Sequence, residues 1–133
     1  MDIFVLRNNQ LTGRIPTELF NMKGARVIML EYNKLSGTLP AAELLQLQQL
    51  VRLQVNENRL TGSIPSQLGN LPGLRQAHLH LNQFTGDVPI DLCDAANMIS
   101  LQADCAPIDN APNPCLCCTA CCDRSTGICL PAN

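Results

Sequence analysis

Three short stretches of the chain alternate apolar and polar residues with a period of two. Ile28 and Leu30, Leu53 and Val55, and Ala77 and Leu79 point to one side, and the residues between them to the other. This pattern predicts strands of about three to five residues, too short to be stable alone. Each stretch is followed by an asparagine, an apolar residue two places on, a Thr-Gly or Ser-Gly pair and a proline.

Aligned on the asparagine, the phrases are LRNNQLTGRIP, LEYNKLSGTLP, VNENRLTGSIP and LHLNQFTGDVP. Asn9, Asn33, Asn58 and Asn82 are separated by 24, 25 and 24 residues, and the glycines and prolines keep the same intervals. A repeat of this period is the mark of a solenoid in which each coil buries its apolar face against its neighbours. Parallel strands would lie about 4.8 Å apart, with the apolar residues pointing into one continuous core. The asparagine turns the chain away from the strand, and its amide can bond backbone groups that the turn leaves unpaired, so Asn9, Asn33, Asn58 and Asn82 read as a structural ladder. Glycine permits close approach or an unusual dihedral, and proline ends strand pairing.

Beyond each proline, apolar residues recur near every third position: Leu19, Met22, Ala25; Leu44, Leu47, Leu50; Leu68, Leu71, Leu74; Leu92, Ala95, Met98. That period fits 3₁₀ or irregular helical turns on an outer leg. The extra residue of the second coil falls there, in PAAEL against PTEL and PSQL, and should leave the strands in register.

The phrase LxxNxLxGxIPxxLxxL resembles the plant-type extracellular leucine-rich repeat of receptor ectodomains and polygalacturonase-inhibiting proteins, over about residues 4–101. The resemblance implies an α/β leucine-rich-repeat solenoid: a short, right-handed, curved coil stack with a concave parallel sheet. It also implies recognition of proteins, peptides or polysaccharides at the cell surface.

Eight cysteines lie at 93, 105, 115, 117, 118, 121, 122 and 129, and the preceding residues contain none. The chain therefore divides into a solenoid over 1–101, with four recognisable repeats and a terminal partial coil, and a cysteine-rich cap over 102–133 packed on it. The tail has little apolar periodicity, so covalent links must hold it. Cys93, Cys105, Cys115, Cys117, Cys118, Cys121, Cys122 and Cys129 are expected to form disulfides, with Cys93 stapling the cap to the last coil; the connectivity is open. Neighbours such as Cys117 and Cys118, or Cys121 and Cys122, should pair elsewhere. The competing zinc reading of CLCCTACC lacks a second well-separated CxxC knuckle, and both histidines sit in a distant strand. No metal and no cofactor is expected. ADCA at 103–106 and CLCCTACC at 115–122 resemble the caps of leucine-rich-repeat proteins from diatoms and related algae. Disulfide chemistry and both resemblances imply a secreted or cell-surface location.

The side chains facing solvent on the sheet should be Ile3, Val5, Arg7 and Asn8, then Val27, Met29, Glu31 and Tyr32, then Arg52, Gln54, Asn56 and Glu57, then Gln76, His78, His80 and Leu81. The early coils are apolar and the later ones polar. Val27, Met29, Glu31, Tyr32, Arg52, Gln54, Glu57, His78 and His80 are therefore the candidate ligand contacts, Tyr32 being the chain's single tyrosine. The apolar cluster admits other readings: a face covered by an N-terminal cap, or self-association through an uncapped first coil. His78 and His80 share one face, with no carboxylate recognised beside them.

Charged residues make up 15% of the chain, the net charge is -2, and the nine Lys and Arg are scattered, so no stripe suits nucleic acid. No apolar run approaches membrane-spanning length. The acidic residues are dispersed and no GxSxG, HExxH or phosphate loop occurs, so an enzyme is not expected. A regular row of Thr12, Ser36, Thr61 and Thr85 could meet a periodic solid, but its neighbours Arg14, Thr38, Ser63 and Asp87 vary. Two functions remain: a non-catalytic extracellular module binding a protein or peptide on its concave face, and a scaffold of matrix or cell wall that binds polysaccharide.

Overall fold

The computed structural model describes residues 2–104, 118–123, 125–126 and 128–131. The large sheet contains β1 (Asp2–Val5), β3 (Ala25–Met29), β5 (Arg52–Gln54), β7 (Gln76–His78), β8 (Ser100–Asp104), β9 (Ala120–Cys122) and β10 (Cys129–Pro131), in that spatial order. A second sheet holds β2 (Thr12–Arg14), β4 (Lys34–Gly37) and β6 (Arg59–Leu60). Its parallel pairing is extended by a bridge between Ser63 and Thr85.

The register of the large sheet follows the repeat. Phe4 pairs with Ile28, Ile28 with Leu53, Leu53 with Ala77, and Ala77 with Leu101, steps of 24, 25, 24 and 24 residues. The longer second coil is thus absorbed outside the strands. Its outer leg carries the α-helical turn α1 (Ala41–Leu44), where the first and third coils have 3₁₀ turns at Thr17–Asn21 and Ser66–Asn70; the fourth carries α2 (Ile90–Cys93).

Every coil turns through a glycine at positive φ, between 77° and 80° for Gly13, Gly37, Gly62 and Gly86. A side chain at that dihedral is strained, which explains the fixed Thr/Ser-Gly pair.

The core is a stack of equivalent layers. Ile28, Leu53, Ala77 and Leu101 are buried in one row, Leu30, Val55 and Leu79 in the next, and Leu35, Leu60 and Phe84 in a third, backed by Leu44, Leu68 and Leu92 from the outer legs. In the first coil the equivalent residues Leu6 and Leu11 are each 38% exposed, because only one side of that coil is covered.

At the other end the sheet does not stop with the repeats. β9 adds to β8 in parallel, and β10 returns antiparallel to β9. The hydroxyl of Thr119 accepts the Leu101 N–H at 2.9 Å and donates to the Leu101 carbonyl at 3.0 Å, so it pairs both backbone groups of the last core leucine. Cys122 and Cys129 face each other across β9 and β10 and form a disulfide. Cys93, Cys118 and Cys121 are also disulfide-bonded. Every cysteine other than Cys93 lies at 105 or beyond, so the bond from Cys93 ties the last coil to the tail. Cys121 and Cys122 are not joined to each other, as expected of neighbours on a strand, whose side chains alternate. Cys105, Cys115 and Cys117 lie outside the described residues.

Candidate functional site

The pairing of the strands sets the solvent-facing side chains of the large sheet in rows. One row runs Ile3, Val27, Arg52, Gln76, Ser100 and the next Val5, Met29, Gln54, His78, Gln102. Both pass from apolar to polar along the stack. Ile3 and Val5 are 53% and 47% exposed, and Val27, Met29, Arg52, Gln54, Gln76 and His78 are half-buried. Gln54 Nε2 lies 3.1 Å from His78 Nδ1, and His78 Nε2 lies 3.0 Å from Ser100 Oγ, a polar chain across three strands. A Gln54 amide that donates requires Nδ1 to accept, which leaves the His78 proton on Nε2 to be given to Ser100. Burial, aided by the Arg52 charge, holds the His78 pKa below the usual histidine value and so favours this neutral form.

The third row, Arg7, Glu31, Asn56, His80, departs from the sequence reading. Glu31, Asn56 and His80 are not open to solvent; they are 4%, 6% and 7% exposed. The reason is the residue that follows each of them. Asn8, Tyr32, Glu57 and Leu81 have φ between 55° and 59°, so strict alternation ends there and the chain turns one position before the ladder asparagine. Tyr32 is left 49% exposed and Glu57 half-buried, while Glu31, Asn56 and His80 are enclosed and the Arg7 side chain stays exposed. Arg7 Nη1 approaches Glu31 Oε1 at 3.7 Å, but Glu31 Oε2 is buried with no hydrogen-bond partner among the described residues, as is His80 Nδ1.

The asparagines bind two coils each. Asn58 Nδ2 donates to the Leu30 and Val55 carbonyls at 2.9 and 3.1 Å, and its Oδ1 accepts from Leu35 N at 2.9 Å. Asn33 and Asn82 repeat this one coil earlier and later. Asn9 donates only within its own coil, to Leu6 and Arg7.

Asp104 carries a role that its place among scattered acids did not reveal. In earlier coils the backbone N–H groups of Tyr32, Asn33, Glu57 and Asn58 donate to carbonyls of the next coil. At the last layer the carboxylate of Asp104 takes their place and accepts from Leu81 N and Asn82 N. The signal was available in the 24-residue spacing from His80 to Asp104, which continues the third row.

His80 also sits otherwise than its sequence position suggested. Its charge environment includes Asp104, so a carboxylate does stand near the histidines, and burial, followed by the His78 charge, keeps its pKa below the usual value. The His78 and His80 rings lie 6.1 Å apart. Nor is His80 remote from the cysteines: one ligand atom of each of His80, Cys122 and Cys129 lies within 4.8 Å of the others, with the two cysteines joined as the disulfide. The sheet continues into the cap, and that continuity brings them together.

A separate shallow groove of about 280 Å³ lies near the N-terminal ends of β3, β5 and β7, lined by Arg26, Gln48, Gln49, Val51, Pro72, Gly73, Arg75 and Asn97. It includes none of the sequence candidates. Among the described residues no helix is long and apolar enough to cross a membrane.

The Leucine Rich Repeat family model matches residues 2–22 and 49–71. A search of curated proteins returns no match. Among solved structures, the plant peptide hormone receptor RGFR1 in complex with RGF2 is 36% identical with a TM-score of 0.72, covering 75% of this chain and 16% of the receptor. The BIR3–SERK2 complex from Arabidopsis thaliana is 31% identical with a TM-score of 0.71, over 75% of this chain and 55% of that one. A plant ice-binding protein is 33% identical with a TM-score of 0.66, over 74% and 31%. The chain thus spans about half or less of the length of these neighbours. Repeat, register and likeness agree: this chain is built of leucine-rich repeats and has the leucine-rich-repeat solenoid fold.

Proposed function

We propose that the chain is an extracellular binding module that contacts a protein or peptide through the concave face of its large sheet. The observation that carries this reading is the graded surface there. Exposed Ile3, Val5 and Tyr32 lead through Val27 and Met29 to Arg52, Gln54, Glu57 and His78, so one extended partner could bury apolar groups at one end and form hydrogen bonds at the other. Support comes from the neighbours, one of which is a plant peptide hormone receptor in complex with RGF2. The disulfides of the cap suit an oxidising, secreted or cell-surface setting. Tyr32 is the anchor, held outward by its left-handed backbone. Glu31 and His80, being buried, take part by shaping the floor of the face.

The test is selection of peptides from a displayed random library, followed by calorimetry against variants. Tyr32→Ala and Arg52→Ala are expected to weaken the selected peptides about tenfold each, the cost of losing an interface anchor of about 1.4 kcal/mol. Glu18→Ala on the outer leg should change nothing. The reverse pattern, or a chain that selects no peptide and instead cosediments with wall polysaccharide, would replace this reading with that of a matrix scaffold.

A further inference from the structure

We propose that His80, Cys122 and Cys129 form a metal site that is closed while the Cys122–Cys129 disulfide is intact and opens on its reduction, taking zinc or another thiophilic divalent cation. Nothing in this depends on the peptide-binding reading. Two independent observations meet here. The first is distance: the three ligand atoms already lie within 4.8 Å of one another. Tetrahedral zinc, with bonds of about 2.3 Å to sulfur and about 2.0 Å to nitrogen, needs the two sulfurs to separate to about 3.8 Å once their bond is cut, which stays inside that span. The second is the state of His80, which is 7% exposed yet leaves Nδ1 without a hydrogen-bond partner among the described residues. An unpaired buried nitrogen is costly, and a cation entering the reduced site would give it a partner.

The surroundings hold the three groups in place without the disulfide. Cys122 is opposite Cys129 because β9 pairs with β10, and Cys122 is fully buried. The connection between these strands has its own lock: Asp123 Oδ1 accepts from Ser125 N at 2.7 Å and Ser125 Oγ at 2.6 Å, and Asp123 N donates to the Ile128 carbonyl at 2.8 Å. On the other side, the Asp104 carboxylate pins the backbone just after His80. Two thiolates and one imidazole, soft and borderline ligands, select zinc over calcium or magnesium, and water fills the fourth position.

The chemistry balances with a dithiol as reductant. The dithiol gives two electrons and two protons to the Cys122–Cys129 bond and leaves as its own disulfide, and the cation then displaces the two thiol protons to solvent.

The full chain, labelled with ¹⁵N-histidine, gives two sets of imidazole signals, one pair of ring nitrogens each, because His78 and His80 are its two histidines. After reduction with a water-soluble phosphine, added zinc chloride is expected to shift the His80 ring nitrogens and leave His78 in its native position as a control of the fold. The oxidised chain and the reduced Cys122→Ser, Cys129→Ser double variant should show no His80 shift. If the double variant loses the native His78 signal, Cys129→Ser alone takes its place. An unmoved His80 signal in the reduced chain overturns the proposal. So does an equal shift in the oxidised chain or the serine variants, or a reduced chain whose repeat fold is lost and not restored by zinc.

Discussion

Asp104 accepts the backbone N–H of Leu81 at 2.6 Å and, through its second oxygen, that of Asn82 at 3.2 Å. One side chain thus finishes a ladder that carbonyls of the following coil complete elsewhere. Replacing Asp104 with alanine leaves two donors unpaired at a partly covered edge and should lower stability by about 1–3 kcal/mol. Asp104→Asn, which keeps one acceptor oxygen, should cost less. Urea midpoints of the two variants and the parent check both the size and the order.

The asparagine ladder should not be uniform in energy. Asn58 pairs groups from two coils inside the stack, so Asn58→Ala strands the buried Leu35 N–H and removes one of the two amide donors to the Leu30 carbonyl, which Asn33 still reaches, and should cost about 1–3 kcal/mol. Asn9 is exposed and bonds only its own coil, and Asn9→Ala should cost less than about 1 kcal/mol. Equal losses in chemical denaturation would contradict the two-coil role.

Close packing of the outer legs rests on a missing side chain. A Cβ on Gly69, in the 3₁₀ turn of the third coil, would overlap the carbonyl group of Asp91 in α2. Gly69→Ala should therefore force the third and fourth legs apart and destabilise by about 1–3 kcal/mol. Gly73→Ala meets only the Leu50 carbonyl, at 3.2 Å, and is expected to cost less. Thermal unfolding of the pair decides.

Acid should weaken the fold through both histidines. Their folded pKa values are depressed below 6.5, so the unfolded chain binds protons that the folded chain refuses. Stability is accordingly full above about pH 6.5, falls as pH drops from there through the folded values, and levels off below them. Protonated His78 also loses the acceptor nitrogen that meets Gln54. His78→Gln should flatten part of the slope between neutral and mildly acid pH in a series of denaturant titrations; an unchanged slope would remove His78 from the account.

What could be read in the chain was whatever recurs. The spacing of Asn33, Asn58 and Asn82 sets the coil length, the alternation of Leu53 and Val55 sets which side is core, and the glycines and prolines set where each coil turns. These features are local and are repeated, so each copy reinforces the others and only one stacking satisfies them all. The break in alternation at Tyr32 was not legible, because a left-handed residue with an ordinary side chain leaves no compositional mark. That dihedral, repeated at Leu81, enclosed Glu31 and His80 and changed which candidates face solvent.

The ends belong to the tertiary structure. Asp104 became a cap, and His80 a neighbour of Cys122 and Cys129, because β9 and β10 prolong the same sheet past the last repeat. The periodic sequence by itself determined the coil, its core and its ladder, since those contacts lie at a constant separation along the chain. Contacts made where the period stops have no such separation, and only the folded sheet, by laying the tail against the last coil, decided which polar and sulfur groups would meet there.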